Sequence, residues 1–165
     1  GVQTCALPIL TDRIRHRGPD DSGHWSSSDG TLHLGHRRLS ILDLSTSGHQ
    51  PMVSERGTVI VFNGEIFNFK ELREQFFPGE NFVSTGDTEV LLRLYDKLGE
   101  SVVDHLNGMF AFAIWDPAKE VLFMARDRTG KKPFYYTFHQ GIFAFASEVK
   151  ALLELPGFEI GRAHV

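Results

Sequence analysis

Asn63, Gly64 and Glu65 place an amide, a backbone without a side chain and a carboxylate directly after an apolar run. The run, residues 58–62, is rich in β-branched residues and predicts a buried strand. The Asn-Gly pair predicts a tight turn at the end of that strand. Backbone N–H groups and a side-chain amide at such a turn can bind an oxyanion, and Glu65 can bind a cation. The sequence therefore predicts chemistry at the tip of this strand.

Arg38, Asp87 and Glu65 each allow a structural and a functional interpretation. Arg37 and Arg38 lie in the strand-like stretch 32–42. They either splay to opposite faces, or one guanidinium binds a substrate carboxylate through paired hydrogen bonds. Asp87 either caps a helix or binds a ligand, and Glu65 is either a first-turn acid or a ligand for an ammonium group. The residues alone leave these alternatives open.

Other kinds of catalytic site have weaker support. His33 and His36 are three residues apart, so on a strand their rings face opposite sides. The sequence has no HExxH or CxxC motif, and no metal site is predicted. It also lacks the phosphate-binding GxxxxGK[ST] loop and the GxSxG nucleophile motif. Cys5, the single cysteine, is a nucleophile candidate by residue type.

The two ends of the chain do not match the patterns beside them. Residues 1–9 and 159–165 can be read as translations of two largely reverse-complementary strands of a sequencing adapter. We therefore predict that both ends are non-native and that the domain comprises residues 10–158. On this interpretation Cys5 is not native and is not the nucleophile.

The pattern of apolar residues predicts sheets between layers of helices. A capping box at Asn68 predicts a helix to about Phe76, and a second helix runs from Asp87 to a stop at Gly99. Further helices are predicted at 101–106 and 147–155. The predicted strands are residues 109–115, 121–125, 133–138 and 142–146. Residues 109–115 are apolar at every position, which indicates a strand buried on both faces.

Composition excludes several classes of protein. A chain of 165 residues with 41% hydrophobic and 23% charged residues suits one globular domain. A net charge of −4 gives no basic surface for nucleic acid. The longest apolar run, 109–115, is far shorter than a membrane span. A single cysteine fits a reducing compartment, so we expect a cytoplasmic protein.

Eight stretches resemble, in order, the glutamine amidotransferase domain of glutamine-hydrolysing asparagine synthetases, which are class II amidotransferases with the N-terminal-nucleophile hydrolase fold. The stretches are HRGPDDSG at 16–23, GHRRLSILD at 35–43, HQPM at 49–52, FNGEIFN at 62–68, TGDTE at 85–89, LNGMFAF at 106–112, RDRTGKKPFYY at 126–136 and ASE at 146–148. Sugar-phosphate and phosphoribosyl amidotransferases share the Asn-Gly pair but lack the RLSI and HRGPD patterns. The ordered set is therefore far more specific than any one stretch.

The resemblance implies an α+β fold, a four-layer αββα sandwich of two antiparallel sheets between helical layers. It also implies that L-glutamine is the substrate. The α-carboxylate of glutamine would pair with Arg38 and with the backbone of the next four residues, which are Leu39, Ser40, Ile41 and Leu42. Its α-ammonium would meet Asp87 and Glu65. The amide carbonyl would lie against the Asn63 side chain and the Gly64 N–H, which would form the oxyanion hole.

The resemblance further implies a nucleophile that this chain does not show. In the family, an N-terminal cysteine on a buried first strand attacks the amide, and its own α-amino group is the base. Cys5 is followed by Ala-Leu-Pro and is not terminal. We therefore expect that the first strand is missing, that this chain alone is inactive, and that it is less stable than the intact domain.

Outside the domain, the resemblance implies a C-terminal synthetase domain that binds ATP and Mg²⁺ and amidates aspartate. No cofactor is expected in the amidotransferase domain itself, and a homodimer is left open. The alternative is a glutamine-binding or structural domain without a nucleophile in a related amide-forming synthetase.

Overall fold

Eight strands and three α-helices occur within residues 9–155, the part of the chain that this computed structural model describes. The strands are β1 (Asp21–Ser26), β2 (His33–Arg38), β3 (Met52–Val53), β4 (Val59–Ile66), β5 (Gly108–Asp116), β6 (Val121–Arg126), β7 (Tyr135–His139) and β8 (Ile142–Ala146). The helices are α1 (Phe69–Phe76), α2 (Asp87–Leu98) and α3 (Val149–Leu152). Short 3₁₀ segments occur at Arg15–Arg17, Thr46–Gly48 and Gly99–His105, and residues 9–12 form a helical turn.

The strands form one four-stranded sheet and two hairpins. The central sheet has the order β3-β4-β5-β6, and every neighbouring pair is antiparallel. The hairpins are β1-β2 and β7-β8. In the central sheet, β4 pairs with β5 along its whole length, from Val59 opposite Trp115 to Ile66 opposite Gly108.

Alternation along β4 gives the central sheet two apolar faces. Ile60, Phe62 and Ile66 are buried against α1 and α2, whose apolar stripes complete the larger core. Val59 and Val61 face the other way and pack with Leu34 of β2, and Phe145 of β8 lies against the same cluster. A strand that is buried on both faces needs an apolar layer on each side.

The result is the predicted four-layer αββα sandwich of antiparallel sheets between helical layers. Helices α1 and α2 form one outer layer, the central sheet and the two hairpins form the inner layers, and α3 packs on β7 and β8. The second inner layer is divided into two separate hairpins within the described residues. This division leaves space between β2 and β8.

The predicted turn at Asn63-Gly64 is wrong. β4 continues through both residues and ends only at Ile66, because β5 supplies a partner for each position. A Cβ on Gly64 would lie 2.3 Å from the Met109 carbonyl oxygen. The glycine therefore permits the close approach of two strands and does not make a turn.

The predicted capping box at Asn68 is also wrong, although α1 begins at the next residue. The Asn68 side chain makes no cap hydrogen bond. Its Nδ2 donates to the His105 carbonyl at 2.9 Å, and its Oδ1 accepts from the Asn107 N–H at 2.9 Å. Asn68 therefore joins α1 to the segment before β5, a contact across 37 to 39 positions that local sequence cannot reveal.

Two predicted elements are shorter in the structure. The strand expected over 32–42 is β2, His33–Arg38, and residues 39–42 belong to a loop. The helix expected over 147–155 is α3, Val149–Leu152. The predicted non-native ends, 1–9 and 159–165, lie outside the described residues except for Ile9.

Candidate active site

A cavity of about 920 Å³ lies between β2 and β8, with β4 and β5 at its base. Eight of the nine predicted site residues line it: Arg38, Leu39, Ile41, Leu42, Asn63, Gly64, Glu65 and Asp87. Ser40 does not line the cavity, and its N–H donates to Asp20 Oδ2 at 2.8 Å. The fold thus gathers residues separated by almost 50 positions around one space.

Asn63 reaches this cavity because β4 remains a strand. Asn63 and Glu65 follow Val61 at intervals of two, so they share its face, which is directed away from the helices. The Asn63 Nδ2 is buried and has no hydrogen-bond partner in the described structure. A buried amide donor without a partner is costly. The Asn63 Nδ2 is therefore available to a ligand in the cavity.

The Gly64 N–H is a second donor at the same place. On the side of β4 away from β5, the Phe62 N–H donates to Gln50 Oε1 at 2.7 Å and the Ile66 N–H donates to Asp87 Oδ2 at 2.7 Å. Alternate residues of a strand direct their N–H groups to the same side, so the Gly64 N–H points the same way. Phe110, which is opposite Gly64, makes its backbone bonds with Asp127.

Arg38 is buried at the cavity wall, and backbone carbonyls hold its guanidinium in place. One terminal nitrogen donates to the Ser45 carbonyl at 2.7 Å, and the other donates to the Asp43 carbonyl. A Cβ at position 48 would collide with this guanidinium, so Gly48 provides the space for it. Arg37 instead pairs with Asp12. The two arginines therefore splay apart: both line the cavity, but Arg37 is engaged by a carboxylate and Arg38 by backbone carbonyls.

Asp87 and Glu65 make the opposite wall negative. Asp87 is the first residue of α2, and Gly86 occupies the cap position, so of the two alternatives for Asp87 the structure disfavours the helix cap. Asp87 is buried, with 5% of the residue exposed. Burial raises its pKa above the usual value, and the nearby Glu65 adds to the effect, although the Ile66 N–H opposes it. Such a pair of carboxylates suits a ligand ammonium.

His36 and Gln50 are site residues that the sequence reasoning missed. The His36 Nε2 donates to the Phe62 carbonyl at 3.0 Å, and its buried Nδ1 has no partner in the described structure. Burial lowers the pKa of His36 to about 4, so the ring is neutral near pH 7. These contacts fix the backbone just before Asn63. The alternation Leu34, His36, Arg38 along β2 was the signal that could have placed His36 at the cavity.

The basic motif after β6 has a structural role. Asp127 accepts hydrogen bonds from the N–H groups of Lys131 and Lys132 and from the Thr129 hydroxyl. The Arg126 guanidinium donates to the Gly130 and Lys132 carbonyls. These bonds hold the connection between β6 and β7.

Two features are absent from residues 9–155. The side chains there form no group of three or more His, Cys, Asp or Glu residues that could hold a metal ion. None of the described helices combines the length and the apolar character needed to cross a bilayer.

The layered fold is similar to that of a known amidotransferase. The structure is similar to the glutamine phosphoribosylpyrophosphate amidotransferase of Bacillus subtilis, with a TM-score of 0.72 over 87% of this chain and 39% of that one. The sequence identity is 21%, so this likeness concerns the fold alone.

Sequence comparisons identify the family. A family model described as a glutamine amidotransferase domain matches residues 3–164, and the chain therefore belongs to that family. The chain is 46% identical to asparagine synthetase [glutamine-hydrolyzing] 3 of Bacillus subtilis over 89% of its own length. It is 45% identical to a putative asparagine synthetase [glutamine-hydrolyzing] 2 of Methanocaldococcus jannaschii over 87% of its length, and 44% identical to amidase chry2 of Gibberella zeae over 89%. The chain spans 24%, 31% and 22% of these relatives, respectively.

Proposed function

We propose that the cavity binds L-glutamine with its side-chain amide against Asn63 and Gly64. The buried, unpartnered Asn63 Nδ2 beside the Gly64 N–H carries this proposal, because the two donors converge where an amide oxygen would lie. The α-ammonium then lies between Asp87 and Glu65. The α-carboxylate lies at Arg38 and the backbone of residues 39–42.

This placement suits hydrolysis through a tetrahedral intermediate. A thiolate attacks the amide carbon, and the negative charge that forms on oxygen is stabilised by the two donors on β4. The proton removed from the thiol is transferred to the amide nitrogen, so that collapse of the intermediate releases ammonia and leaves a thioester. Water then hydrolyses the thioester to glutamate and the free thiol. Residues 9–155 contain no cysteine, so they contribute binding and charge stabilisation, while the attacking thiol comes from elsewhere.

For the whole protein we propose an asparagine synthetase that hydrolyses glutamine. Ammonia from this domain would pass to a synthetase domain that binds ATP and Mg²⁺ and amidates aspartate. The support is the set of relatives with that name and the short span that this chain covers in them. Relatives named amidase make a different overall reaction the competing outcome.

The whole-protein proposal is tested with the full-length protein. We expect asparagine from aspartate and ATP with either glutamine or ammonia as the nitrogen source. Synthesis with ammonia but not with glutamine would refute the amidotransferase function, and no asparagine from either source would refute the product.

The chain by itself should bind glutamine without hydrolysing it. Titration of the ¹⁵N-labelled chain 1–165 with L-glutamine should shift the resonances of residues 63–66 and 85–88. Glutamate should not accumulate. Release of glutamate that Cys5→Ala abolishes would contradict the second statement, and the absence of any shift would contradict the first.

A further inference from the structure

Asp43 is a third aspartate or glutamate side chain at the cavity, in addition to Asp87 and Glu65, and it is buried. It lies in the loop after β2, is 7% exposed, and lines the cavity between the arginine side and the carboxylate side. Its hydrogen bonds reach both sides.

On the arginine side, Asp43 shapes the loop that holds Arg38. Its Oδ1 accepts from the Ser45 N–H at 2.8 Å and from the Ser45 hydroxyl at 2.6 Å. The backbone carbonyls of Asp43 and Ser45 are the acceptors for the Arg38 guanidinium. A change in this turn would therefore move the guanidinium.

On the carboxylate side, Asp43 holds the segment that leads into α2. Its Oδ2 accepts from the Thr85 N–H at 2.8 Å. Gly86 follows, and a Cβ there would lie 3.5 Å from the Asp43 Cβ. The next residue is Asp87, whose carboxylate receives the Ile66 N–H. Asp43 is thus connected through one backbone segment to Arg38 and through another to Asp87.

The hydrogen bonds that the Asp43 side chain accepts on its two sides require a carboxylate. Hydrogen bonds from the Ser45 hydroxyl and the Thr85 N–H lower the pKa of Asp43 to about 2, so the group is ionised at neutral pH. A carboxylate accepts at both oxygens, whereas an asparagine amide accepts at one. Asn at this position can therefore satisfy the loop or the α2 segment, but not both.

We propose that Asp43 is a positioning residue that fixes the distance between Arg38 and Asp87 so that both ends of one α-amino acid are bound together. This proposal depends on the proposed glutamine site. It predicts that Asp43 favours ligands with both charged groups over ligands with one.

The test compares three ligands of the chain 1–165 by NMR titration. They are L-glutamine, 4-carbamoylbutanoate, which lacks the α-ammonium, and 4-aminobutanamide, which lacks the α-carboxylate. In Asp43→Asn, we expect the affinity for glutamine to fall by about tenfold, and that for each one-ended ligand by less than about threefold. Ser45→Ala, a milder change in the same turn, should show a smaller loss with the same selectivity.

Asp116→Asn is the matched control. Asp116 is also a buried carboxylate that accepts from backbone N–H groups, those of Ala118 and Lys119, but it is the last residue of β5 and does not line the cavity. We expect it to leave all three affinities unchanged. Equal losses for all three ligands in Asp43→Asn, or unchanged glutamine binding, would overturn the positioning role. If Asp43→Asn raises the affinity for one of the one-ended ligands and lowers it for the other, the effect is one of charge alone, and this too would overturn the positioning role. If the unaltered chain binds no glutamine, the proposed site itself fails.

Discussion

Single atoms of a few buried side chains determine what the cavity can bind. Asn63 Nδ2 has no partner among the described residues, and the neighbouring Phe62 is held at both its backbone groups, by Gln50 and by His36. A donor held in place before the reaction needs no reorganisation as charge develops on the substrate oxygen. Asn63 should therefore act mainly in the transition state.

Asn63→Ala in the full-length protein should lower kcat for glutamine hydrolysis by about 10²–10³-fold and change KM little, because the lost donor acts on the developing charge. Steady-state glutamate release measures both constants. Asn81→Ala is the control, since only the backbone carbonyl of Asn81 is engaged, by Arg93. A large rise in KM with unchanged kcat would show that Asn63 only binds substrate.

His36 should make the stability of the chain depend on pH. Its pKa is about 4 in the folded protein, against about 6.5 in an unfolded chain. Between these values the unfolded state binds more protons. The contribution of His36 to stability is therefore fully present above about pH 6.5 and is lost as the pH drops toward 4. We expect His36→Gln to remove a loss of about 3 kcal/mol over that range.

Denaturant unfolding from pH 7 to pH 4 measures this loss. Burial lowers the pKa of His24 as well, so both proteins should carry His24→Gln to isolate His36. If His36→Gln leaves the slope of unfolding free energy against pH unchanged, protonation of the His36 ring does not oppose folding.

At the scale of elements, β4 is both a core strand and the carrier of the site. Its even-numbered residues face the helices, while Val61, Asn63 and Glu65 face the cavity. On the edge of β4 that faces away from β5, Met52 pairs with Ile60. Further along the same edge, the Phe62 N–H donates to Gln50 and the Ile66 N–H donates to Asp87. The Gly64 N–H therefore opens onto the cavity between two occupied positions.

Gly64→Ala should destabilise the chain by about 2–3 kcal/mol, because the new Cβ forces β4 and β5 apart. It would lie 2.3 Å from the Met109 carbonyl oxygen and 2.7 Å from the Phe110 Cα. Urea unfolding followed by circular dichroism measures the loss. Gly86→Ala should cost less, since its Cβ would meet no atom closer than 3.5 Å. If Gly64→Ala costs no more unfolding free energy than Gly86→Ala, the spacing between β4 and β5 adapts to a methyl group.

At the scale of the whole molecule, the two ends of the described chain meet through charged side chains. Glu148 accepts from His16 at 2.9 Å, from Arg17 at 3.3 Å and from Lys150 at 3.0 Å. Nearby, Arg13 pairs with Glu154 at 2.6 Å. These contacts hold α3 against the segment before β1, and so they close one side of the cavity.

Glu148→Gln should lower the free energy of unfolding by about 1 kcal/mol at low salt and less at high salt, because the pairs are partly exposed. Amide exchange in α3 should increase. The Lys150 side chain, followed by His16 and Arg17, lowers the pKa of Glu148 to about 2. Its contribution is therefore complete above about pH 4.5 and is lost as the pH falls toward 2. Glu74→Gln, at an exposed position of α1, is the charge-matched control, and the same loss there would argue against a specific role.

Much of the fold follows from local sequence. The apolar stripe and the Gly99 stop gave α2 correctly, and β8 has the predicted bounds, because the signals for these elements lie within a few residues. Asn63-Gly64 misled the prediction because an Asn-Gly pair favours a turn locally, whereas full pairing with β5 keeps it extended. Asn68 misled it for the same reason, since its partners lie beyond residue 100.

The sequence by itself determined the residue types of the site, the layered class of the fold and, through ordered motifs, the family. These properties depend on side-chain chemistry and on patterns along the chain. Only the tertiary structure decided which atoms are free to act. Strand alternation directs Asn63 and the Gly64 N–H toward the cavity, and the loops that carry Asp43 and Thr85 meet only after folding. Hydrogen-bond partners far apart in sequence decide which donors remain available, and no local pattern records those partners.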